Sequence, residues 1–294
     1  MKSGLVGVIG RANAGKSTLV NALVGEKVAI VSPKPQTPRD RILGVLTRED
    51  CQIVFADTPG LYRQRNELTR RMMHATDETV KEVDMILFVE DAHEGLNEED
   101  IPLIRKYAAL NIPMLIALTK TDIMPEKNIP EEAKKLFDAG IENVVVPVSA
   151  RKRKNLHKLE EEILKLLPEG DKLYTEDIIS DKSEKFMIAE IMREKVLLGY
   201  EKEIPHGVAI VINEFKKQEN GVYSVNLDIV CEKKNHKAII IGKGGAALKE
   251  TAMHARKEME RFLGAKVFLT TYVKVREDWR NSENLLGELG YGDL

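Results

Sequence analysis

The chain has 294 residues, 43 % of them hydrophobic, enough for one large core or two modest ones. Lysine and arginine total 45 against 47 aspartates and glutamates, so the formal net charge of −2 excludes a uniformly basic nucleic-acid coat and confines any such surface to a local strip. Cys51 and Cys231 form no CxxC pair and read as reduced thiols, and no run reaches the roughly 18 apolar residues that a bilayer requires, so a cytoplasmic protein without a transmembrane segment is expected.

The opening run MKSGLVGVIG has neither an h-region nor a cleavage site, and no leader is expected. From residue 4 to about 168, short apolar runs alternate with stretches of helical period. That is the signature of βαβ units in a mostly parallel sheet with helices on both faces. The expected strands are LVGVIG, CQIVFAD, DMILFVED, PMLIALTK and NVVVPVSA. Helices are expected from Gly15, then over Glu67–Glu82, Asn97–Leu110 and Glu131–Ala139. A last helix, Asn155–Leu167, places Leu156, Leu159, Ile163 and Leu166 or Leu167 on one face and closes an α/β domain over 1–170.

Between the first strand and first helix, Gly10-Arg11-Ala12-Asn13-Ala14-Gly15-Lys16-Ser17 fits GxxxxGK[ST]. Glycines let the backbone N–H groups of residues such as Asn13, Ala14, Gly15 and Thr18 converge on phosphates at a helix N-terminus. Lys16 adds a cation, and the Ser17 hydroxyl is a Mg²⁺ ligand. This motif alone specifies a nucleoside triphosphatase, not the base.

The strand CQIVFAD ends in Asp57-Thr58-Pro59-Gly60, where Asp57 can hold the Mg²⁺ shell and the Gly60 N–H can meet a γ-phosphate. Leu61 follows, where Ras-like enzymes keep a water-orienting glutamine, so slow intrinsic hydrolysis is expected. After PMLIAL, Thr119-Lys120-Thr121-Asp122 matches [NT]KxD. An aspartate accepting from guanine N1–H and the exocyclic amine selects guanine, because adenine would leave the carboxylate unpaired. Thr119 replaces the commoner asparagine and is expected to weaken a loop contact but not base selection. Ser149-Ala150-Arg151 stands where a last guanine-contacting loop belongs, which puts every motif at the C-terminal end of a strand.

PEGDKLYTEDIISDKS carries no period, and a linker is expected over 171–183. A second domain, 184–294, then reads as a helix (Glu184–Leu198), two strands joined at Glu219-Asn220-Gly221, a short helical turn, a second helix and a strand over Lys266–Arg276. The order αββααβ, with Gly242-Lys243-Gly244-Gly245 before the second helix, is that of an α+β type II KH fold whose GxxG loop clamps single-stranded nucleic acid. Lys243, Lys237 and Lys249, with Lys233 and Lys234, would form the local basic strip. Ile239, Ile240 and Ile241 would form an apolar groove. Aromatic stacking partners are sparse, and His206 and His236 read as structural or surface groups.

GRANAGKS, PKPQTPRD, DTPG, TKTD and VSA, followed by YEKEIPHGVAIVI, IIIGKGG and VKVREDW, resemble the Era family of ribosome-assembly GTPases from residue 4 to about 280. The resemblance implies GTP or GDP with Mg²⁺, and Thr37 as the switch threonine that joins Ser17 and Asp57 at the metal, although the usual second threonine is Pro38. Pro59, Gly60 and Leu61 would lie in the second switch. Asn13 matches a residue that coordinates K⁺ in some relatives, the alternative being that it merely shapes the loop. No arginine finger can be chosen among Arg39, Arg41, Arg63 and Arg65. The implied partners are single-stranded rRNA near the 3′ end of the small-subunit rRNA and the 30S subunit, with peripheral membrane association an added option. A monomer is expected. The competing reading is a GTPase acting in tRNA modification or at the membrane, its KH-like domain used for protein contacts.

Overall fold

The computed structural model describes every residue except 33–40, 62–65, 97–98, 202–203, 205–206, 290 and 292–294. These form two units, the first drawn from Met1 to Asp181 and the second from Lys182 onward together with two short earlier stretches.

The first unit runs β1 (Lys2–Ile9), α1 (Lys16–Val24), β2 (Ile42–Thr47), β3 (Cys51–Asp57), α2 (Glu67–Glu82), β4 (Met85–Asp91), α3 (Asp100–Ala108), β5 (Met114–Thr119), α4 (Ile129–Asp138), β6 (Val145–Pro147) and α5 (Leu156–Leu166). Its sheet has the order β2-β3-β1-β4-β5-β6, and every pairing is parallel except β2 with β3. β3, β4 and β5 are buried along their whole length, which is why they read as unbroken apolar runs instead of alternating ones. Leu156, Leu159, Ile163 and Leu167 of the last helix and its cap enter the core beside Val6, Val8, Leu87 and Leu115.

The antiparallel edge strand β2 was not among the expected strands, although ILGVLT is a plain apolar run. The segment 171–181 is tied to this edge. Leu43 N–H donates to Asp181, Val45 N–H to the Ile179 carbonyl, and Gln52 bonds the main chain of Leu173 and Tyr174.

The second unit runs α6 (Glu184–Gly199), β7 (Val208–Lys217), β8 (Tyr223–Cys231), α7 (Lys234–Ile241), α8 (Ala246–Leu263), β9 (Val267–Val275) and α9 (Glu283–Glu288). β8 pairs antiparallel with β7 and parallel with β9, and the β7–β8 turn uses Gly221 at φ 80°. Its core joins Ile188, Ile191 and Val196 to Leu227, Ile229, Ala255 and Met259. Ser183 caps α6 through the Phe186 N–H. Trp279 is fully buried and donates its indole N–H to the Gly207 carbonyl at 3.1 Å. Among the described residues, no helix is long and apolar enough to cross a membrane.

Candidate functional site

β1, β3, β5 and β6 run parallel, so the loops that leave their C-terminal ends gather along one edge of the first sheet. The loop after β1 is shaped by Gly10 (φ 155°), Asn13 (φ 64°) and Gly15 (φ 98°) before α1 begins at Lys16. A side chain at Gly10 is impossible as the loop stands, since a Cβ there would sit 2.1 Å from the Val89 carbonyl oxygen.

Lys16 is buried and donates to the carbonyls of Gly10 at 3.0 Å and Arg11 at 2.8 Å. Burial lowers its pKa to about 8, against the opposing pull of Asp57 and Glu90. Ser17 donates its hydroxyl to Oδ2 of Asp57 at 2.6 Å, and Oδ1 of Asp57 is buried with no hydrogen-bond partner among the described residues. Burial raises the Asp57 carboxyl to about 6, opposed by Lys16 and by the Ser17 hydroxyl. An orphaned carboxylate oxygen beside a serine hydroxyl is a donor set that suits Mg²⁺, a hard cation taking oxygen ligands. Thr37 and Pro38 lie outside the described residues.

The segment after β3 folds onto the loop after β1. Thr58 donates to the Val8 carbonyl, Leu61 N–H donates to the Gly10 carbonyl at 3.0 Å, and a Cβ on Gly60 would meet the Ala12 backbone at 2.7 Å. Pro59 is buried, its carbonyl accepting from Thr76. The Leu61 side chain packs among Ile9, Val80, Ile86 and Phe88, so it enters the core.

A pocket collects Gly15 and Thr18 from α1 and its cap, Thr119, Lys120, Asp122 and Ile123 from the loop after β5, and Ala150 and Arg151 from the loop after β6. Thr119 reaches the Ala14 carbonyl at 2.5 Å and the Glu90 carbonyl at 3.0 Å. The substituted threonine therefore keeps the loop contact expected to weaken, with one hydroxyl hydrogen where asparagine has two amide hydrogens. Ser149 donates to Oδ1 of Asp122 at 2.7 Å, while its own loop is closed by the Ser149–Lys154 bridge and by Lys152 N–H bonding Ser149 Oγ. Lys120 (φ 58°) lies over Asp91, to which it is ion-paired.

Sequence reasoning missed the acidic groups behind this edge. Glu90 and Asp91 end β4, Asp100 opens α3, and all three are buried. The run VED at the end of an apolar strand was the available signal.

In the second unit, Gly242, Gly244 and Gly245 all have positive φ (72°, 59° and 79°), and they lead into the N-terminus of the 18-residue α8. A Cβ on Gly242 would lie 2.7 Å from that of Ala247. Lys233, Lys234, Lys243 and Lys249 are exposed and Lys237 is half-buried. The expected groove needs one correction. Ile240 is fully buried in the core, with its carbonyl accepting from Tyr200, so only Ile239 is exposed and Ile241 partly so. The reason is helical phase: α7 extends to Ile241 as a full helix and turns Ile240 inward.

Residues 5–120 match the family described as 50S ribosome-binding GTPase, and residues 203–280 match the KH domain family. The GTPase Era of Clostridium kluyveri is 43 % identical over 291 residues, 99 % of each chain, and that of Clostridium botulinum is 42 % identical over 293 residues. Among solved structures, an Aquifex aeolicus Era variant bound to GDP and aluminium fluoride superposes with a TM-score of 0.95 at 39 % identity over 99 % of both chains. Era in complex with MgGDPNP and nucleotides 1506–1542 of 16S ribosomal RNA superposes equally well, at the same identity and coverage.

Proposed function

Because the chain belongs to the Era family of GTPases, we propose that it is a GTP-binding and hydrolysing switch whose GTP-bound form lets the KH domain grip single-stranded rRNA near the 3′ end of the small-subunit rRNA and assist 30S assembly. The observation that carries the guanine part is the pocket that joins Asp122, Lys120 and Thr119 to Ala150, Arg151 and the start of α1. The rRNA part rests on the GKGG loop opening α8 and on the likeness to the Era–rRNA complex.

In this reading Asp122, oriented by Ser149, accepts from guanine, while Lys120 and Ala150 flank the base. The N–H groups of Asn13, Ala14, Gly15 and Thr18 face the phosphates. Lys16 exchanges its bonds to the Gly10 and Arg11 carbonyls for phosphate oxygens, a gain for a cation that burial otherwise penalises. Ser17, Asp57 and Thr37 would hold Mg²⁺, which supplies charge neutralisation on the β- and γ-phosphate oxygens. Gly60 N–H approaches the γ-phosphate, and loss of that contact releases the second switch.

Leu61 is committed to the core and cannot orient water, so the intrinsic rate is slow and the reaction leans on the loop amides and on Lys16; Asn13 is the residue that would hold K⁺, which would add positive charge beside the phosphates. RNA binding and GTP binding then favour one conformer together. The deciding experiment measures GTP hydrolysis with and without small ribosomal subunits, in K⁺ and in Na⁺. Acceleration by subunits and by K⁺ is expected. Identical slow rates in all four conditions would overturn both the assembly role and the cation role.

A further inference from the structure

The phosphate loop lies on a buried acidic cluster. With Gly10 stacked against Val89, the next residues of β4 are Glu90 and Asp91, exposed by only 3 % and 4 %, and α3 opens with Asp100 at 0 %. Asp91 is satisfied by Lys120 and by the N–H groups of His93 and Glu94. Glu90 receives one long bond from Asp91 N–H, and its Oε2 has no hydrogen-bond partner among the described residues. Asp100 is met by the Nε of Arg11, whose guanidinium also lies 3.6 Å from Glu99.

Arg11 is the second residue of the loop, yet its side chain pairs with the acids of α3. Its main chain meanwhile supports the cation of the site, because its carbonyl accepts from Lys16 at 2.8 Å, and it bridges to Leu61. Glu90 in turn senses Asp100. Burial first and the Asp100 charge second raise the Glu90 carboxyl to about 8.

We infer that Arg11 is a positioning residue of the nucleotide site: by neutralising Asp100 it lets the loop present Lys16 to the bound polyphosphate without repulsion from buried negative charge. The inference rests on the guanine-nucleotide reading and adds to it a specific electrostatic requirement. Removing one member of a buried ion pair strands the other charge, whereas removing both does not.

The test is calorimetric titration of the full chain with GDP and Mg²⁺ for wild type, Arg11→Met, Asp100→Asn and the double variant, with melting curves recorded without nucleotide. Arg11→Met is expected to weaken GDP about tenfold, while Asp100→Asn and the double variant stay within about threefold of wild type. If Arg11→Met does not fold, Arg11→Gln, which removes the charge but keeps a polar side chain of similar reach, replaces it. A deficit that Asp100→Asn relieves then supports the inference. Undiminished affinity in the arginine variant, or a deficit that persists unchanged in the double variant, overturns it. A wild-type chain that fails to bind GDP would sink the nucleotide reading first, before any variant is compared.

Discussion

Ser149 donates its hydroxyl to Asp122 at 2.7 Å, so the loop after β6 aims the carboxylate carried by the loop after β5. Asp122→Asn should exchange guanine preference for xanthine, because an amide offers a donor where the carboxylate only accepts. Ser149→Ala should weaken GDP about tenfold through the lost charge-assisted bond. Competition among GDP, XDP and ADP reads both effects. Unchanged GDP binding by Asp122→Asn would remove the base from this pocket.

Leu61→Gln restores the residue type found in Ras-like enzymes but places it in an apolar cluster with Ile9 and Phe88. The expected outcome is a loss of stability of about 1–3 kcal/mol with no gain in hydrolysis rate. Denaturant unfolding and a single-turnover assay decide it. A faster enzyme would mean that the side chain leaves the core during turnover.

Glu90 gives the nucleotide-free protein a definite pH signature. Its folded-state carboxyl is raised to about 8 from 4.5, so between these values the native state keeps a proton that the unfolded chain has released. Stability therefore falls as pH rises through that window, and Asp57 adds the same sign between 3.8 and about 6. Glu90→Gln should flatten the upper part of the profile and stabilise the protein at pH 8 by on the order of 2 kcal/mol while leaving pH 4 nearly unchanged. Melting temperatures at the two pH values provide the check, and parallel profiles for variant and wild type would refute the assignment.

Gly245 has φ 79° and open space around its Cβ position, whereas Gly242 is crowded by Ala247. Gly245→Asp thus adds charge with modest strain and should reduce single-stranded RNA binding at least about tenfold, with GDP affinity intact. Gly242→Asp should in addition destabilise the second unit. Filter binding in parallel with nucleotide titration separates the two, and full RNA retention by Gly245→Asp would show that the loop holds none.

Much of this architecture could be read from residue order because the parallel strands are buried on both faces and their loops carry short motifs. LVGVIG followed by GRANAGKS leaves little freedom, and the αββααβ order with GKGG specifies the second unit in the same way. What stayed hidden depends on tertiary contact. β2 escaped notice because its ILGVLT run adjoins the switch motif. The inward turn of Ile240 required the true length of α7. The Arg11–Asp100 pair joins residues 89 positions apart, a relationship that no local spacing encodes.

Trp279 is the only tryptophan in the chain. Sealed under its bond to Gly207 and stacked on Tyr291 at 5.6 Å, it makes intrinsic fluorescence a private optical channel for the second unit. A spectral shift on adding guanine nucleotide alone would therefore be a message received in the second unit, obtained without any label.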